Sequence, residues 1–194
     1  MTINNDQHYI NKVLGGDTNS FAFLVEKYKD MVFTLALKIN KSREEAEEVS
    51  QDTFIKAFKS LKNFKGDSKF STWVYKIAYN NCMDRIKKNS RRYHTDAIDE
   101  VVENRIRATE DTMQSIERKE RAELMNDCLY ELPEDERSII WMFYYKELSL
   151  KEIIDVTSLS EANLKVKLHR ARKKLLAIVQ NRVEPEIINH YGRK

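Results

Sequence analysis

Apolar residues recur every three or four positions along residues 17–40, 42–62 and 68–88, and almost nothing interrupts this pattern. Side chains at that spacing lie on one face of a helix, so each segment predicts an amphipathic helix with one buried face. Only four glycines and two prolines occur among the 194 residues, too few for the turns of a β-sandwich. The three segments together predict one small helical bundle.

Side chains that cap helices mark the expected helix starts. Ser42 precedes Glu45 by three positions, and Ser149 precedes Glu152 by the same interval, which is the spacing of a capping box. Proline is favoured at the first position of a helix, and serine or aspartate just before it. On these grounds helices are expected to start at Ser42, at Asp67 or Ser68, at Pro133, at Ser149 and at Ser160.

The helical period fades over residues 89–112, where acidic, basic and polar side chains are mixed. This composition is typical of a linker, which would reach on the order of 80 Å if fully extended. An exposed helix over part of the segment is the alternative. The acidic stretch 96–117 lies between two segments with an excess of lysine and arginine, 1–95 and 118–194. Basic segments of this kind are compatible with binding to nucleic acid.

Residues 149–178 combine a short helix, a turn at Val156–Leu159 and a longer helix, which is the helix-turn-helix pattern. In the longer helix Leu164 and Leu168 face inward, and the first turns carry small or polar side chains on the outer side. A helix with such turns can enter the major groove of DNA. A solvated basic helix is the alternative. The helix is rich in cations, with Lys165, Lys167, Arg170, Arg172, Lys173 and Lys174.

The stretch FKGDSKFSTWVYKIAYNNCMDRIKK, residues 64–88, holds more aromatic side chains than one buried face can take. Phe70, Val74 and Ile77 form the core stripe, whereas Trp73 lies on a flank near Lys76. A flat ring beside a cation can stack an unpaired base and neutralise its backbone. A tryptophan buried between helices explains the same pattern without a ligand, and the residues alone do not separate the two interpretations.

Three segments in this order resemble an extracytoplasmic-function sigma factor of bacterial RNA polymerase, a member of the sigma-70 family. They are EEAEEVSQDTFIKAF, FKGDSKFSTWVYKIAYNNCMDRIKK and LPEDERSIIWMFYYKELSLKEIIDVTSLSEANLKVKLHRARKKL. The resemblance covers about residues 17–88 and 113–178. It implies an all-α chain of two small helical domains: sigma region 2 at 1–88 and region 4, with the helix-turn-helix, at 113–180. A flexible linker at 89–112 joins them, and a tail follows at 181–194.

The resemblance also implies three functional surfaces. Region 2 would bind core RNA polymerase through Glu48, Gln51, Asp52, Phe54 and Ile55. It would open the minus-10 element and hold a flipped base with Phe64, Lys65, Asp67, Ser68, Trp73, Lys76, Asn80 and Lys87. Region 4 would enter the major groove of the minus-35 element with Glu161, Ala162, Asn163, Lys165, Val166, Lys167, His169 and Arg170, and would also meet the flap of the polymerase.

Two segments depart from what is common in the family. Ile154, Thr157 and Ser158 stand where alanine, leucine and glycine are frequent, and many members have a glycine near Lys146. A serine in the turn is expected to need a positive φ, which carries modest strain. These differences concern the shape of the turn and remove no proposed DNA contact.

The implied function is that of an alternative sigma factor: it binds core RNA polymerase and directs promoter-specific initiation on duplex and locally melted DNA. The expected protein is monomeric when free and is controlled by an anti-sigma factor, for which Tyr75 and Tyr79, expected to be exposed, offer a surface. A helix-turn-helix repressor or activator with an N-terminal sensing or dimerisation domain is the alternative. A repressor would bind duplex DNA unaided, whereas a sigma factor needs the polymerase.

Other classes find no support in the residues. No nucleophile with a matching base and no glycine-rich phosphate loop is present, so we expect no enzyme, and catalysis would belong to the polymerase. Cys82 and Cys128 lack metal-site spacing, and we expect neither a metal nor another cofactor. The N-terminal residues do not resemble a signal peptide, and no run of about 18 apolar residues occurs. We therefore expect no membrane insertion and a cytoplasmic, nucleoid-associated protein.

Overall fold

The computed structural model describes residues 5–92 and 113–182, and all regular structure within them is helical. Eight α-helices follow one another within these two ranges. They are α1 (Asn5–Leu14), α2 (Phe21–Asn40), α3 (Arg43–Ser60), α4 (Phe70–Arg92), α5 (Met113–Tyr130), α6 (Glu134–Ile140), α7 (Leu150–Thr157) and α8 (Glu161–Arg182). Short 3-10 turns lie at Thr18–Ser20 and Leu61–Asn63, and a π-turn lies at Trp141–Tyr145. The predicted all-α class is confirmed.

Helices α1–α4 form an N-terminal bundle, and α5–α8 form a C-terminal bundle. Helix α2 packs on both α3 and α4, and its Leu24, Val32 and Leu35 are fully buried, as expected from the apolar stripe of that helix. Helix α1, for which the sequence analysis made no prediction, packs on α2. Its Asp6 carboxylate accepts hydrogen bonds from Lys27 and from the Tyr28 hydroxyl, both at 2.6 Å. These bonds hold α1 against the bundle.

The bounds of α4 differ from the prediction at both ends. The helix begins at Phe70, and the first helical hydrogen bond runs from the Trp73 amide to the Lys69 carbonyl. The Ser68 hydroxyl donates to that same carbonyl at 3.5 Å. At the other end α4 continues to Arg92, so the predicted linker begins inside a helix. No glycine or proline lies between Gly66 and Pro133 to end the helix earlier.

Two further predictions concern the start of α6 and the segments outside the described residues. Pro133 was expected to be the first residue of a helix, but it is the N-cap residue of α6, which begins one position later at Glu134. The rest of the predicted linker, 93–112, and the tail residues 183–194 lie outside the described residues.

The helix-turn-helix is confirmed by α7 and α8, but its turn begins at Ser158, because Val156 and Thr157 of the predicted turn still belong to α7. Ser149 and Glu152 form the full capping box at the start of α7, and the Ser160 hydroxyl accepts from the Asn163 amide at 3.3 Å at the start of α8. Between the two helices Ser158 has a φ of 58°, as expected for a residue that occupies a frequent glycine position. Glu147, next to Lys146, also has a positive φ, 51°.

The two bundles contact each other. Helix α7 packs on α4, and α6 packs on the end of α2. Tyr75 and Tyr79, expected to be exposed for a partner protein, are only 3% and 8% exposed. That expectation is wrong, because Tyr75 lies near Trp141 and Tyr79 near Ser138 of the C-terminal bundle. Removal from water raises the pKa of both phenols.

Candidate nucleic-acid interface

A polar loop on an aromatic base forms the first candidate surface. The loop runs from Phe64 to Lys69, and Gly66 turns it with a φ of 79°. The half-buried Phe64 ring packs edge-on against Phe70 at a centroid distance of 5.5 Å, so it anchors the loop to α4. Lys65 and Asp67 point to solvent, and Ser68 is half-buried. The loop is therefore fixed at its ends and presents polar groups at its tip.

Trp73 is half-buried. The sequence left open whether this ring is exposed for base stacking or buried between helices, and the observed burial is intermediate. The Trp73 ring lies 5.3 Å from that of Phe64 and 5.6 Å from that of Phe70, so part of it belongs to the aromatic base of the loop. The remaining surface is open to solvent on the flank of α4. On this helix Lys76 is half-buried, and Asn80 and Lys87 are exposed. The predicted minus-10 residues thus follow one another from the loop along α4.

Helix α8 forms the second candidate surface. Leu164, Leu168 and Ala171 are buried, as the helical period predicted. Their burial turns the opposite side of the first helical turns to solvent. The exposed residues there are Glu161, Ala162, Asn163, Lys165, Val166, His169 and Arg170. These residues lie on the part of a recognition helix that enters the major groove in helix-turn-helix proteins.

The cations of α8 differ in their partners, which the sequence did not reveal. Lys167 is half-buried and bonded to Asp135, and Lys174 donates to Glu136 at 2.8 Å, so both fasten α8 to α6. Lys165 pairs with Glu161 at 2.6 Å on the exposed surface, and this pairing lowers the pKa of Glu161. An exposed pair of this kind contributes little free energy, so Lys165 can exchange it for a DNA contact at low cost.

The third candidate surface lies on α3. Gln51, Asp52 and Ile55 are exposed, whereas Phe54 is half-buried. Glu48 is exposed and pairs with Arg85 of α4 at 2.5 Å. One turn after Ile55, which is 51% exposed, Phe58 is 40% exposed. Phe58 was not predicted as a surface residue. Contiguous exposed apolar side chains mark protein-interaction sites, and Phe58 extends the predicted surface by a second apolar side chain.

Comparisons with known proteins match both halves of the chain to one family. Sigma-70 region 2 matches residues 24–92, and Sigma-70, region 4 matches residues 122–175. The chain is 32% identical to the ECF RNA polymerase sigma factor SigW of Bacillus subtilis (strain 168), over 86% of this chain and 92% of SigW. It is 31% identical to the RNA polymerase sigma-H factor of Pseudomonas aeruginosa, over 89% of this chain and 93% of that protein.

The chain belongs to the extracytoplasmic-function group of the sigma-70 family. The fold of this sigma factor is also similar to a solved structure, the sigma factor RpoE in complex with the anti-sigma factor NepR from Bartonella quintana. The TM-score is 0.67 at 18% identity, and the match covers 82% of this chain and 96% of that chain. The first two candidate surfaces of the sigma factor lie within the region 2 and region 4 matches, respectively, and the α3 surface lies within region 2.

Among residues 5–92 and 113–182, no group of histidine, cysteine, aspartate and glutamate side chains is placed to hold a metal ion. Over the same residues of the sigma factor, no helix is both long enough and apolar enough to cross a membrane.

Proposed function

We propose that this chain is an alternative sigma factor that binds core RNA polymerase and directs it to promoters with particular minus-10 and minus-35 elements. One observation carries the proposal. This chain of the family has both an anchored polar loop beside Trp73 and an exposed recognition helix. The protein itself performs no catalysis, which belongs to the polymerase. It acts in the cytoplasm, associated with the nucleoid.

The loop and α4 act on the minus-10 element. Strand opening exposes bases, and an unpaired base can be stacked on an aromatic ring and held by polar groups in a pocket. Trp73 supplies the ring, and the loop residues Phe64, Lys65, Asp67 and Ser68 surround the flipped base. Lys76, Asn80 and Lys87 hold the strand along α4. Because Phe64 anchors the loop to the helix, the pocket needs little ordering when the base enters.

Helix α8 reads the minus-35 element. The Asn163 amide can both donate to and accept from the major-groove edge of adenine. Lys165 or Arg170 can donate to the two acceptor atoms on the edge of guanine. Ala162 and Val166 offer apolar contact to a thymine methyl group. Glu161 and His169 complete the base-facing side, and Lys167 reaches a phosphate if it leaves Asp135.

Core RNA polymerase binds the α3 surface, through Glu48, Gln51, Asp52, Phe54 and Ile55. A second contact with the polymerase flap uses an open apolar groove of about 450 Å³ on the C-terminal bundle. Its lining includes three exposed apolar side chains, Tyr144, Tyr145 and Leu176. An anti-sigma factor holds the protein inactive until a signal releases it. Free of these partners, the protein is a monomer.

Run-off transcription tests the proposal. Purified core polymerase is given genomic fragments, including the region upstream of this gene, with and without the protein. We expect specific transcripts only when the protein is present. If no transcript starts and the protein alone retards its own upstream duplex, the chain is a helix-turn-helix repressor instead.

A further inference from the structure

Buried polar side chains serve different purposes in the two bundles. The Arg137 guanidinium donates to carbonyls at or just after the ends of α2 and α5, and those of Lys38 and Ile39 accept at 2.8 and 2.6 Å. It therefore satisfies carbonyls that lack partners within a helix. Thr53 and Asn81 are also buried, with 0% and 7% exposure. They lie within α3 and α4, however, and cap no helix end.

These two side chains bond each other across the interface of α3 and α4. The Asn81 amide nitrogen donates to the Thr53 hydroxyl at 3.0 Å, and that hydroxyl donates to the Val49 carbonyl at 2.7 Å. The Asn81 amide oxygen accepts from the Lys56 ammonium. Because an ammonium can only donate, this bond fixes which way round the Asn81 amide lies.

Polar contacts between the two helices continue along α4. Asn81, Arg85 and Asn89 follow one another at intervals of four residues, so they lie on one stripe of the helix. Arg85 pairs with Glu48 at 2.5 Å, and Asn89 donates to Glu45 at 2.9 Å. We call the whole set of contacts the polar seam. It consists of Glu45, Glu48, Thr53 and Lys56 on α3 and of Asn81, Arg85 and Asn89 on α4.

The polar seam fixes the rotation of α4 about its own axis. Apolar packing is non-directional, whereas a hydrogen bond weakens steeply as its angle changes, and a buried asparagine sets the register of packed helices in coiled coils. The predicted minus-10 residues lie on another stripe of α4, where Asn80 directly precedes Asn81. A rotation of about 20° moves side-chain atoms about 5 Å from the axis by about 2 Å. That displacement exceeds the roughly 0.5 Å that a binding site tolerates.

We propose that Thr53 and Asn81 are positioning residues for promoter opening. Helix α3 carries the surface for core polymerase, and α4 carries the minus-10 residues. The polar seam therefore determines how Trp73, Lys76 and Asn80 are presented to DNA once the polymerase holds α3. Thr53 and Asn81 themselves contact neither DNA nor polymerase. This inference rests on the proposed function.

A double variant, Thr53→Val with Asn81→Leu, removes the central bond of the seam without leaving a polar atom buried. Both substitutions keep a side chain of similar size, and replacement of both partners by apolar groups is nearly neutral for stability. The Lys56 ammonium turns to water, because that side chain is exposed. Thr53→Ser is the conservative variant that keeps the hydroxyl. Thr53→Val alone is the second route if the double variant does not fold.

Distances between spin labels on the full chain test whether the polar seam fixes α4. Labels at Lys59→Cys on α3 and Lys87→Cys on α4 occupy exposed positions, and the native cysteines are buried and stay in place. We expect a narrow distance distribution for the parent protein and a broader or displaced one for the double variant. Tyr28→Phe is the control, because it removes a hydroxyl that is bonded to Asp6 outside the seam.

Permanganate footprinting with core polymerase tests the consequence for promoter opening. Thr53→Val and the double variant are expected to open the minus-10 element about tenfold less than the parent, with unchanged affinity for core polymerase in fluorescence anisotropy. Thr53→Ser and Tyr28→Phe are expected to open it as the parent does. A general loss of stability would also lower opening by Tyr28→Phe, so this comparison separates positioning from stability.

Three outcomes overturn the proposal. One is an unchanged distance distribution in the double variant, and another is opening equal to that of the parent. The third is an equal loss of opening for Thr53→Ser, which would assign the effect to packing instead of the hydrogen bond. If the parent itself opens no promoter, the proposed function fails instead, while the distance measurement still decides whether the polar seam fixes α4.

Discussion

Arg137 Nη2 lies 2.6 Å from the carbonyl oxygen of Ile39, which is 98 positions earlier in the chain. Burial lowers the pKa of this guanidinium, yet arginine stays charged at neutral pH. The nearest carboxylate among its ion-pair partners, that of Glu134, is 4.0 Å away. The charge is therefore balanced mainly by the carbonyls of two helix ends, and this connects the stability of one bundle to that of the other.

Thermal unfolding of Arg137→Ala is expected to lose cooperativity. Without the guanidinium, the two bonds to the end of α2 vanish, each worth about 1.5–3 kcal/mol for a charged donor. Differential scanning calorimetry should show two transitions, one per bundle, in place of one. Arg43→Ala is the control, because Arg43 makes an exposed pair with Glu47 within α3 and contributes under about 0.5 kcal/mol. A single unshifted transition for Arg137→Ala contradicts the coupling.

Trp73→Ala is expected to abolish strand opening and to leave binding to core polymerase unchanged. Stacking of a base on an aromatic side chain contributes about 1–3 kcal/mol, so opening should fall by about 5- to 150-fold. Trp73→Phe, which keeps a stacking ring, should retain part of the activity. Permanganate footprinting measures the opening. The control is Phe23→Ala, an exposed aromatic on α2, and normal opening by Trp73→Ala would contradict the role in base capture.

Lys165→Ala is expected to change which minus-35 sequences are used, whereas Lys173→Ala weakens all sites alike. A base contact contributes about 1–3 kcal/mol at one position, and a phosphate contact is independent of sequence. Transcription from a library of minus-35 variants measures both effects. Lys174 is unsuitable as the phosphate control, because its removal leaves the buried Glu136 without its ion pair. Equal losses across the library for Lys165→Ala would remove the base-reading role.

Binding to core polymerase is expected to depend on the exposed apolar residues of α3. Ile55→Asp or Phe58→Ala should weaken the complex at least tenfold, since truncation of a central interface residue costs about 2 kcal/mol or more. Leu14→Ala, which removes an equally exposed apolar side chain from α1, should have no effect. Fluorescence anisotropy with labelled protein and purified core enzyme gives the dissociation constants. Equal affinity for all three variants would exclude α3 as the binding surface.

Alkaline pH is expected to destabilise the fold. Burial raises the pKa of the Cys82 thiol from 9.0 to about 12, and burial with a hydrogen bond to Asp6 raises the pKa of Tyr28 to about 12. A raised pKa stabilises the folded state below the unfolded pKa, and this contribution is lost as pH rises through the folded value. The urea midpoint should therefore fall between about pH 9 and 12, and less steeply for Cys82→Ala. An unchanged slope would contradict the shift at Cys82.

Most helices were predictable because their signals are local. Ser149 with Glu152, and Ser160 before Asn163, cap the helices at the expected places, since a capping side chain bonds an amide only two or three positions away. Helix α1 was missed, and the start of α4 was placed at Asp67 or Ser68, three or two residues before Phe70. Helix ends are less certain than helix interiors, because several nearby polar side chains compete for the same amides.

The amino-acid sequence by itself determined the helices, the helix-turn-helix and the family, because periodicity, caps and motifs are properties of neighbouring residues. Only the tertiary structure decided which side chains on these helices are buried, which are bonded to a partner and which are exposed. It buried Tyr75 and Tyr79 between the bundles, bonded Lys167 to Asp135, and exposed Phe58. Such contacts join residues far apart in the chain, and no local pattern encodes them. The hydrogen bonds from Arg137 to the end of α2 contribute free energy only once both bundles have formed.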